Sequence, residues 1–151
     1  MFVSGEKIKE LVAAGELGIT PFNPANVKSA SYMFTLDNRV RVTKSEGDFL
    51  DARVDAEFSE QIIPEDGLIL EPGAFAVFFT KESVNLSGKY ICLLSTRSSS
   101  AQIGLDISQG SFLCEPESNQ QFALEISNHN NVPIKLFPGM KITKGIFSKV
   151  A

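Results

Sequence analysis

The chain has 151 residues, of which 43% are hydrophobic and 21% are charged, and its formal net charge is −4. This length is typical of one domain with a sizeable core, and the composition excludes a disordered chain. The acidic balance argues against polymeric nucleic acid and membrane surfaces as partners, but it leaves room for a local basic pocket. We therefore expect a single domain over residues 1–151.

The sequence shows no pattern typical of export or membrane insertion. No run approaches the roughly 18 apolar residues that span a bilayer, and the N-terminus lacks a signal-peptide pattern. Cys92 and Cys114 are isolated and form no C-x-x-C pair. We therefore predict a cytoplasmic protein with both cysteines reduced.

The first predicted element is an amphipathic helix over residues 4–14. Ser4 is placed to cap this helix and Gly15 to end it. The apolar face consists of Ile8, Leu11 and Val12. We expect this face to pack on the edge of a sheet. Pro21 and Pro24 then prevent further helix, so the residues that follow Thr20 are predicted to form a connector.

From Ser31 onward the sequence follows the alternation of β-strands. Tyr32, Phe34 and Leu36 share one face, and Asp37-Asn38 signals a turn before the next strand. The acidic stretch 46–60 has few large apolar residues and is predicted to be a solvated loop, and 108–119 to be a polar hairpin. Further strands are predicted at 68–70, 74–79, 89–94, 134–136 and 140–147. Short strands separated by turn signals are typical of an all-β barrel or sandwich.

A polar segment at 96–107 lies between two strongly apolar runs. Arg97 offers a planar fork suited to phosphate, and the serines at 98–100 offer hydroxyls together with backbone N–H groups. The segment is therefore a candidate anion site. The alternative is a serine-rich turn that satisfies only its own backbone.

Several classes of enzyme are excluded by the residues that the chain lacks. Zinc-dependent deaminases need a Pro-Cys-x-x-Cys pair and a further ligand, whereas this chain has one histidine and two isolated cysteines. There is no Gly-x-Ser-x-Gly elbow, Walker loop or dinucleotide fingerprint. His129 lies in a predicted turn at 128–131 and is expected to be exposed. Catalysis would therefore depend on carboxylates, hydroxyls and arginine, with or without magnesium.

Four segments together resemble one known family. The pattern R-S-S-x-A-x-x-G-L at 97–105 resembles the phosphate-binding motif of the dCTP deaminase family, within the superfamily that also holds the trimeric dUTPases. Upstream, G-I-T-P at 18–21 and A-S-Y-M-F-T-L at 30–36 are similar to the opening of the deaminase branch. Downstream, F-A-L-E-I-S-N at 122–128 resembles the strand with the family's catalytic glutamate, and F-P-G-M-K-I at 137–142 resembles its closing strand. The resemblance implies a mostly β, dUTPase-like distorted β-barrel or jelly roll with a short N-terminal helix, assembled as a homotrimer.

The resemblance also implies a set of site residues. Glu125 matches the glutamate that acts as general base and acid without zinc, activating water for attack on carbon 4 of cytosine. The matching substrate-binding positions are Arg97, Ser98, Ser99, Ala101, Gln102, Glu115, Ala123 and Leu124. The first three correspond to the phosphate and water-positioning residues, Glu115 to an acid near the deoxyribose, and the last two to backbone that contacts the base. The implied ligand is a deoxynucleoside triphosphate, dCTP or dUTP, with magnesium bound only together with the triphosphate.

The sequence departs from the family at functional positions. Gln102 stands where the family has a second arginine, which predicts weaker binding of a triphosphate. Met33 replaces an aspartate, and Glu115-Pro116-Glu117 replaces Asp-Pro-Gly. Residues that would match the family's C-terminal lid over the nucleotide are not found before Ala151.

Three functions remain open on the sequence. The first is a dCTP deaminase-like hydrolase that converts dCTP to dUTP with Glu125 as base. The second is a dUTPase-like pyrophosphatase that uses Glu115 or Asp106 with magnesium. The third is a non-catalytic trimeric relative. All three would share one fold, so the chemistry of the site must separate them.

Overall fold

The computed structural model describes residues 1–107, 109–110 and 112–151, and most of these residues lie in β-strands. In chain order the strands are β1 Leu17–Thr20, β2 Tyr32–Thr43, β3 Phe58–Ile62, β4 Leu68–Leu70, β5 Phe75–Leu86, β6 Tyr90–Thr96, β7 Leu105–Asp106, β8 Leu113–Cys114, β9 Asn119–Asn128, β10 Ile134–Leu136 and β11 Lys141–Lys149. The helices are α1 Gly5–Ala13, a 3₁₀ turn at Pro24–Asn26 and the short α2 Ser98–Gln102. Ser108 and Ser111, which belong to the hairpin predicted at 108–119, lie outside the described residues.

Helix α1 forms where the sequence predicts it. The hydroxyl of Ser4 accepts a hydrogen bond from the backbone N–H of Lys7 at 3.3 Å, and Gly15 follows the helix in the left-handed conformation, with φ of 72°. Ile8 and Leu11 are buried. The helix contacts β1, which pairs with β5 at the edge of the main sheet. The predicted helix and its packing are therefore confirmed.

One large antiparallel sheet organises the chain. Its strand order is β7-β9-β5-β2-β11-β6-β8, with β1 added beside β5 and β3 beside β2, while β10 and β4 form a separate pair. The sheet curls, so that β8 at one end faces β9 near the other end. This curvature creates the cavity described below.

Aromatic side chains fill the space that the curled sheet encloses. Tyr32 and Phe34 meet edge to face with ring centroids 5.0 Å apart, and Phe34 meets Phe122 in the same way at 5.4 Å. Phe78 and Phe147 are also fully buried. Burial of each such side chain contributes about 1.5–3 kcal/mol to stability. Because Phe122 lies on β9, the core holds the strand that carries Glu125.

The turn predicted at Asp37-Asn38 is wrong. Strand β2 runs without a break through Thr43, and its register against β5 shifts between Leu36 and Val40. Between these pairs β2 has three residues and β5 has one, and within this irregular segment the carbonyl of Asn38 accepts a hydrogen bond from the N–H of Ile63 at 2.6 Å. The two polar residues are thus accommodated within a strand that pairs with neighbours on both sides.

Other strand boundaries also differ from the predictions, because pairing partners decide them. Strand β3 begins inside the acidic stretch predicted as a loop, and it pairs with residues 39–43 of β2. Strand β5 continues to Leu86 because both β9 and β1 pair with its second half. Strand β1 occupies the residues just before the predicted connector. The polar residues 98–102 form one short turn of helix.

Candidate functional site: a carboxylate pocket and a basic pocket

A cavity of about 240 Å³ lies between β9 and the paired strands β6 and β8. We call it the carboxylate pocket; its lining residues are Leu94, Leu113, Cys114, Glu115, Ser118, Gln120, Phe122, Ala123 and Glu125. Sites for drug-sized ligands measure about 300–1,000 Å³. The cavity is therefore of a size suited to one part of a nucleotide, such as its base. It unites three of the predicted site residues, namely Glu115, Ala123 and Glu125.

The alternation of β9 points Glu125 into this pocket. Leu124 is 1% exposed and belongs to the core, whereas Glu125 is half-buried and lines the cavity. Neighbouring residues of a strand face opposite sides of the sheet, so the burial of Leu124 turns the side chain of Glu125 away from the core. The side chain of Leu124 therefore does not line the pocket, and only its backbone can take part in binding.

The backbone of β9 offers an open edge next to Glu125. Strand β5 pairs with β9 along one edge, whereas β7 pairs on the other edge only with Ser127 and Asn128. Among the described strands, residues 119–126 therefore have a partner on one side alone. Alternate residues of an antiparallel strand direct their N–H and C=O groups to each edge. This edge can hydrogen-bond a planar heterocycle that enters the pocket beside Ala123.

A glycine lies against the carboxylate of Glu125. A Cβ atom built on Gly110 would overlap both the carboxylate carbon and its oxygens. The adjacent Gln109 accepts a hydrogen bond through its side-chain oxygen from the hydroxyl of Ser127, which ties this segment to the end of β9. Gly110 was not among the predicted site residues, since its only signal in the sequence was a small residue within a polar hairpin.

The thiol in the carboxylate pocket is not a nucleophile. Burial raises the pKa of Cys114 to about 12. Burial, together with the neighbouring Cys114, also raises the pKa of Cys92, which stands directly opposite Cys114 in the β6–β8 pair. Both thiols are therefore protonated at neutral pH, so the reactive groups of this pocket are its two carboxylates.

The predicted phosphate residues line a different cavity of about 330 Å³. We call it the basic pocket; its lining residues are Lys28, Met33, Arg97, Ser98, Ser99, Lys141 and Lys144. The structure thus brings Arg97, Ser98 and Ser99 together, as the motif implies. The three lysines were not predicted, because Lys28 and the pair Lys141 and Lys144 lie far from Arg97 in the chain. The only sequence signal for Lys141 and Lys144 was an excess of cations in the closing strand.

The remaining predicted residues lie apart from both pockets. Ala101 lines a shallow cavity with Asp106 and His129, and the imidazole and carboxylate of this pair lie 3.8 Å apart. His129 is exposed, as expected. Gln102 is exposed at the end of α2 and does not line the basic pocket.

Two polar contacts fix the loop that follows α2. Gly104 has φ of 88°, and its carbonyl accepts a hydrogen bond from the N–H of His129 at 2.8 Å. The side chain of Asn130 donates to the carbonyl of Ile103 at 2.9 Å. These contacts anchor the phosphate motif to the turn after β9. Within the described residues there is no group of three His, Cys, Asp or Glu side chains that could hold a metal ion.

Comparisons with known proteins place the fold and the family. The sequence model of the dCTP deaminase-like family matches residues 2–150. A dUMP-forming dCTP deaminase of Nanoarchaeum equitans is 32% identical over an alignment of 162 residues. The alignment covers 95% of this chain and 82% of that protein.

Solved structures show the same fold. The dCTP deaminase of Agrobacterium tumefaciens superposes with a TM-score of 0.76 at 19% identity, over 99% of this chain but only 46% of that longer one. A mutant dUTPase from phage phi11 of S. aureus gives 0.59 at 14% identity, over 89% of this chain and 91% of that one. These likenesses confirm the expected mostly β, dUTPase-like barrel. None of the helices described is both long and apolar enough to cross a membrane. The chain belongs to the dCTP deaminase-like family.

Proposed function

We propose that this protein deaminates the cytosine of dCTP with Glu125 as general base and acid, and then releases dUMP. The product expected from the sequence is dUTP, whereas two relatives over 30% identical are named dUMP-forming. Formation of dUMP needs two hydrolyses: one water replaces the amine and releases ammonia, and a second cleaves the triphosphate and releases pyrophosphate. The deaminase and pyrophosphatase hypotheses are thus combined in one enzyme.

The observation that carries this proposal is the surroundings of Glu125. Its carboxylate lines a pocket with the open backbone edge of β9 on one side and Gly110 directly against it. In the proposed reaction Glu125 takes a proton from water while the oxygen attacks carbon 4, and then passes that proton to the leaving amine. Backbone groups near Ala123 and Leu124 hold the base, and Glu115 lies within reach of the sugar.

The residues that the structure describes do not fit a metal centre of their own. The chain has one histidine and two cysteines, and among the described residues no group of three His, Cys, Asp or Glu side chains could hold zinc. Glu115 and Asp106, the acids considered for magnesium, line separate cavities. Magnesium is therefore proposed only as a companion of the triphosphate, and no step is assigned to it.

We further propose that a trimer supplies the two halves of each site from two copies of the chain. The two pockets share no lining residue. Lys144 stands opposite Ser95, and the next pair is Gly145 with Leu94. Neighbouring pairs face opposite sides of a sheet, so Lys144 in the basic pocket and Leu94 in the carboxylate pocket lie on opposite faces. On this proposal, each nucleotide spans the carboxylate pocket of one copy and the basic pocket of another.

A mixing experiment tests the deaminase and the shared site together. Glu125→Gln and Arg97→Ala variants are each assayed with dCTP for ammonia and for dUMP, then unfolded together in equal amounts and refolded. If each site takes Glu125 from one copy and Arg97 from another, about a quarter of the sites in random trimers are intact and a corresponding activity returns.

Each other outcome of the experiment has a distinct meaning. No recovery on mixing, with a monomer in light scattering, would contradict the shared site. Cleavage of dUTP without any conversion of dCTP would contradict the deaminase activity and support only the pyrophosphatase activity. No conversion or binding of either nucleotide by the parent protein would contradict both activities and favour the non-catalytic trimer.

A further inference from the structure

Four cations line the basic pocket, and no acid does. Lys28, Arg97, Lys141 and Lys144 account for four of the 14 lysines and arginines in a chain whose net charge is −4. Among the described residues, none of the four forms an ion pair, although lysines and arginines elsewhere pair with Glu6, Glu10, Glu16, Asp37, Asp51 and Glu60. Concentrating unpaired like charges costs free energy in the absence of a ligand, so the arrangement points to a multivalent anion.

A β-bulge in β11 places two of these lysines on one face. In a regular strand, residues three positions apart face opposite sides. The register of β11 against β2 shifts between Lys141 and Thr143, and the two consecutive residues Ile142 and Thr143 are both buried. Lys141 and Lys144 are therefore both turned outward to the same cavity, because the bulge re-aims one of them.

The other walls of the pocket are also held in place by pairing. Met33 stands opposite Lys144 in the β2–β11 pair, and its apolar side chain leaves the charge of that lysine uncompensated. Lys28 is held by a hydrogen bond from its N–H to the carbonyl of Ser31 at 2.7 Å and by the bridge between Val27 and Tyr32. Three backbone segments thus converge on the motif that carries Arg97.

We propose that Lys28, Lys141 and Lys144 complete a subsite for the triphosphate chain of the substrate, and that they supply the charge absent at Gln102. The proposal rests on the proposed function only for the identity of the nucleotide. A linear triphosphate carries several negative charges along its length. Several lysine ammonium groups spread around one cavity therefore complement it better than a single arginine guanidinium does. The subsite should therefore bind the triphosphate chain even without a base attached.

Calorimetric titration with inorganic tripolyphosphate, pyrophosphate and phosphate tests this subsite directly. The parent protein should bind tripolyphosphate most tightly and phosphate least, and the affinity should fall as salt increases. Lys141→Gln and Lys144→Gln should each weaken tripolyphosphate binding about tenfold, since a charge-assisted contact is lost. Lys149→Gln supplies the matched control, because Lys149 is an exposed lysine of the same strand outside the pocket.

Each outcome supports or overturns the proposal. Equal weakening in all three variants, or no binding of tripolyphosphate at low salt, would overturn it. Thermal unfolding midpoints within about 2 °C of the parent would confirm that the variants are folded. Tripolyphosphate binding without conversion of dCTP would refute the proposed function alone, whereas conversion of dCTP with unaltered affinity in Lys141→Gln and Lys144→Gln would refute the subsite alone.

Discussion

The carboxylate pocket and the basic pocket differ in charge, in origin and in how visible they are in the sequence. The first contains two glutamates and no cation, and most of its residues come from one stretch of the chain, 113–125. The second contains four cations and no acid, and its residues come from three distant stretches. A nucleotide has the matching asymmetry, with a neutral base at one end and an anionic triphosphate at the other. Within one copy of the chain, no ion pair among the described residues joins a cation of the basic pocket to Glu115 or Glu125.

The largest expected effect is a loss of turnover when Glu125, in the carboxylate pocket, is replaced. Glu125→Gln keeps the shape and the hydrogen-bonding capacity of the side chain but cannot accept a proton, so kcat for dCTP should fall about 10² or more while its Kd stays within a factor of about three. Quenched-flow assays and calorimetric titration measure the two quantities. An unchanged kcat would show that Glu125 is only a half-buried strand residue.

A substitution in the basic pocket should mainly weaken nucleotide binding. Arg97→Ala should raise the Kd for dCTP about 10- to 100-fold through loss of charge-assisted contacts, with a change in unfolding free energy within about 0.5 kcal/mol. Titration and urea unfolding provide the two values. If the variant unfolds and the parent binds no nucleotide, Arg97 is structural and the motif does not bind phosphate.

Gly110→Ala should affect only the carboxylate pocket. The added Cβ would overlap the Glu125 carboxylate, so either that side chain or the 109–110 segment must shift. Because misplacement of a catalytic group by about 1 Å can cost up to about 10²-fold, we expect kcat to fall about tenfold or more. Gly88→Ala serves as the control, since a Cβ there would make only an ordinary contact with Glu117. Equal activity of the two variants would contradict the close packing.

Gln102→Arg should produce a smaller effect, a modest gain in affinity for dCTP. Gln102 is exposed next to the phosphate motif, so an added cation is largely solvated and should tighten dCTP binding by at most about fivefold. Gln102→Ala should leave the Kd nearly unchanged. Tightening by several orders of magnitude would contradict our proposal that the three lysines already supply this charge.

The smallest effect should come from the turn below the carboxylate pocket. Glu117 has φ of 66°, a left-handed conformation that favours glycine. Glu117→Gly should therefore raise the free energy of unfolding by about 0.5–1 kcal/mol, measured by urea unfolding, without a change in kcat. Glu65→Gly, at an exposed residue that is not in this conformation, should instead lower stability slightly.

Much of the carboxylate pocket could be predicted because its signals are local. A strand with a glutamate beside a buried leucine predicts a polar group on the face opposite the core, and a hairpin before it predicts a nearby acid. Alternation alone left open whether Glu125 faces water or a pocket, and the family resemblance supplied the proposed roles of Glu125 and Glu115. Gly110 was not found, since close approach to Glu125 depends on how the hairpin folds back on β9.

The amino-acid sequence by itself determined the β class of the fold and the capped N-terminal helix, because these features follow from composition, from alternation and from neighbours within a few positions. The candidate phosphate motif around Arg97 and the candidate base Glu125 came from the resemblance of sequence motifs to a known family. Only the tertiary structure decided that β2 is one continuous strand, that β8 curls round to face β9, and that Lys28, Lys141 and Lys144 meet at Arg97. Each of these depends on pairing between distant segments: a one-residue shift in β11 reverses the face of a lysine, and no local pattern encodes that shift.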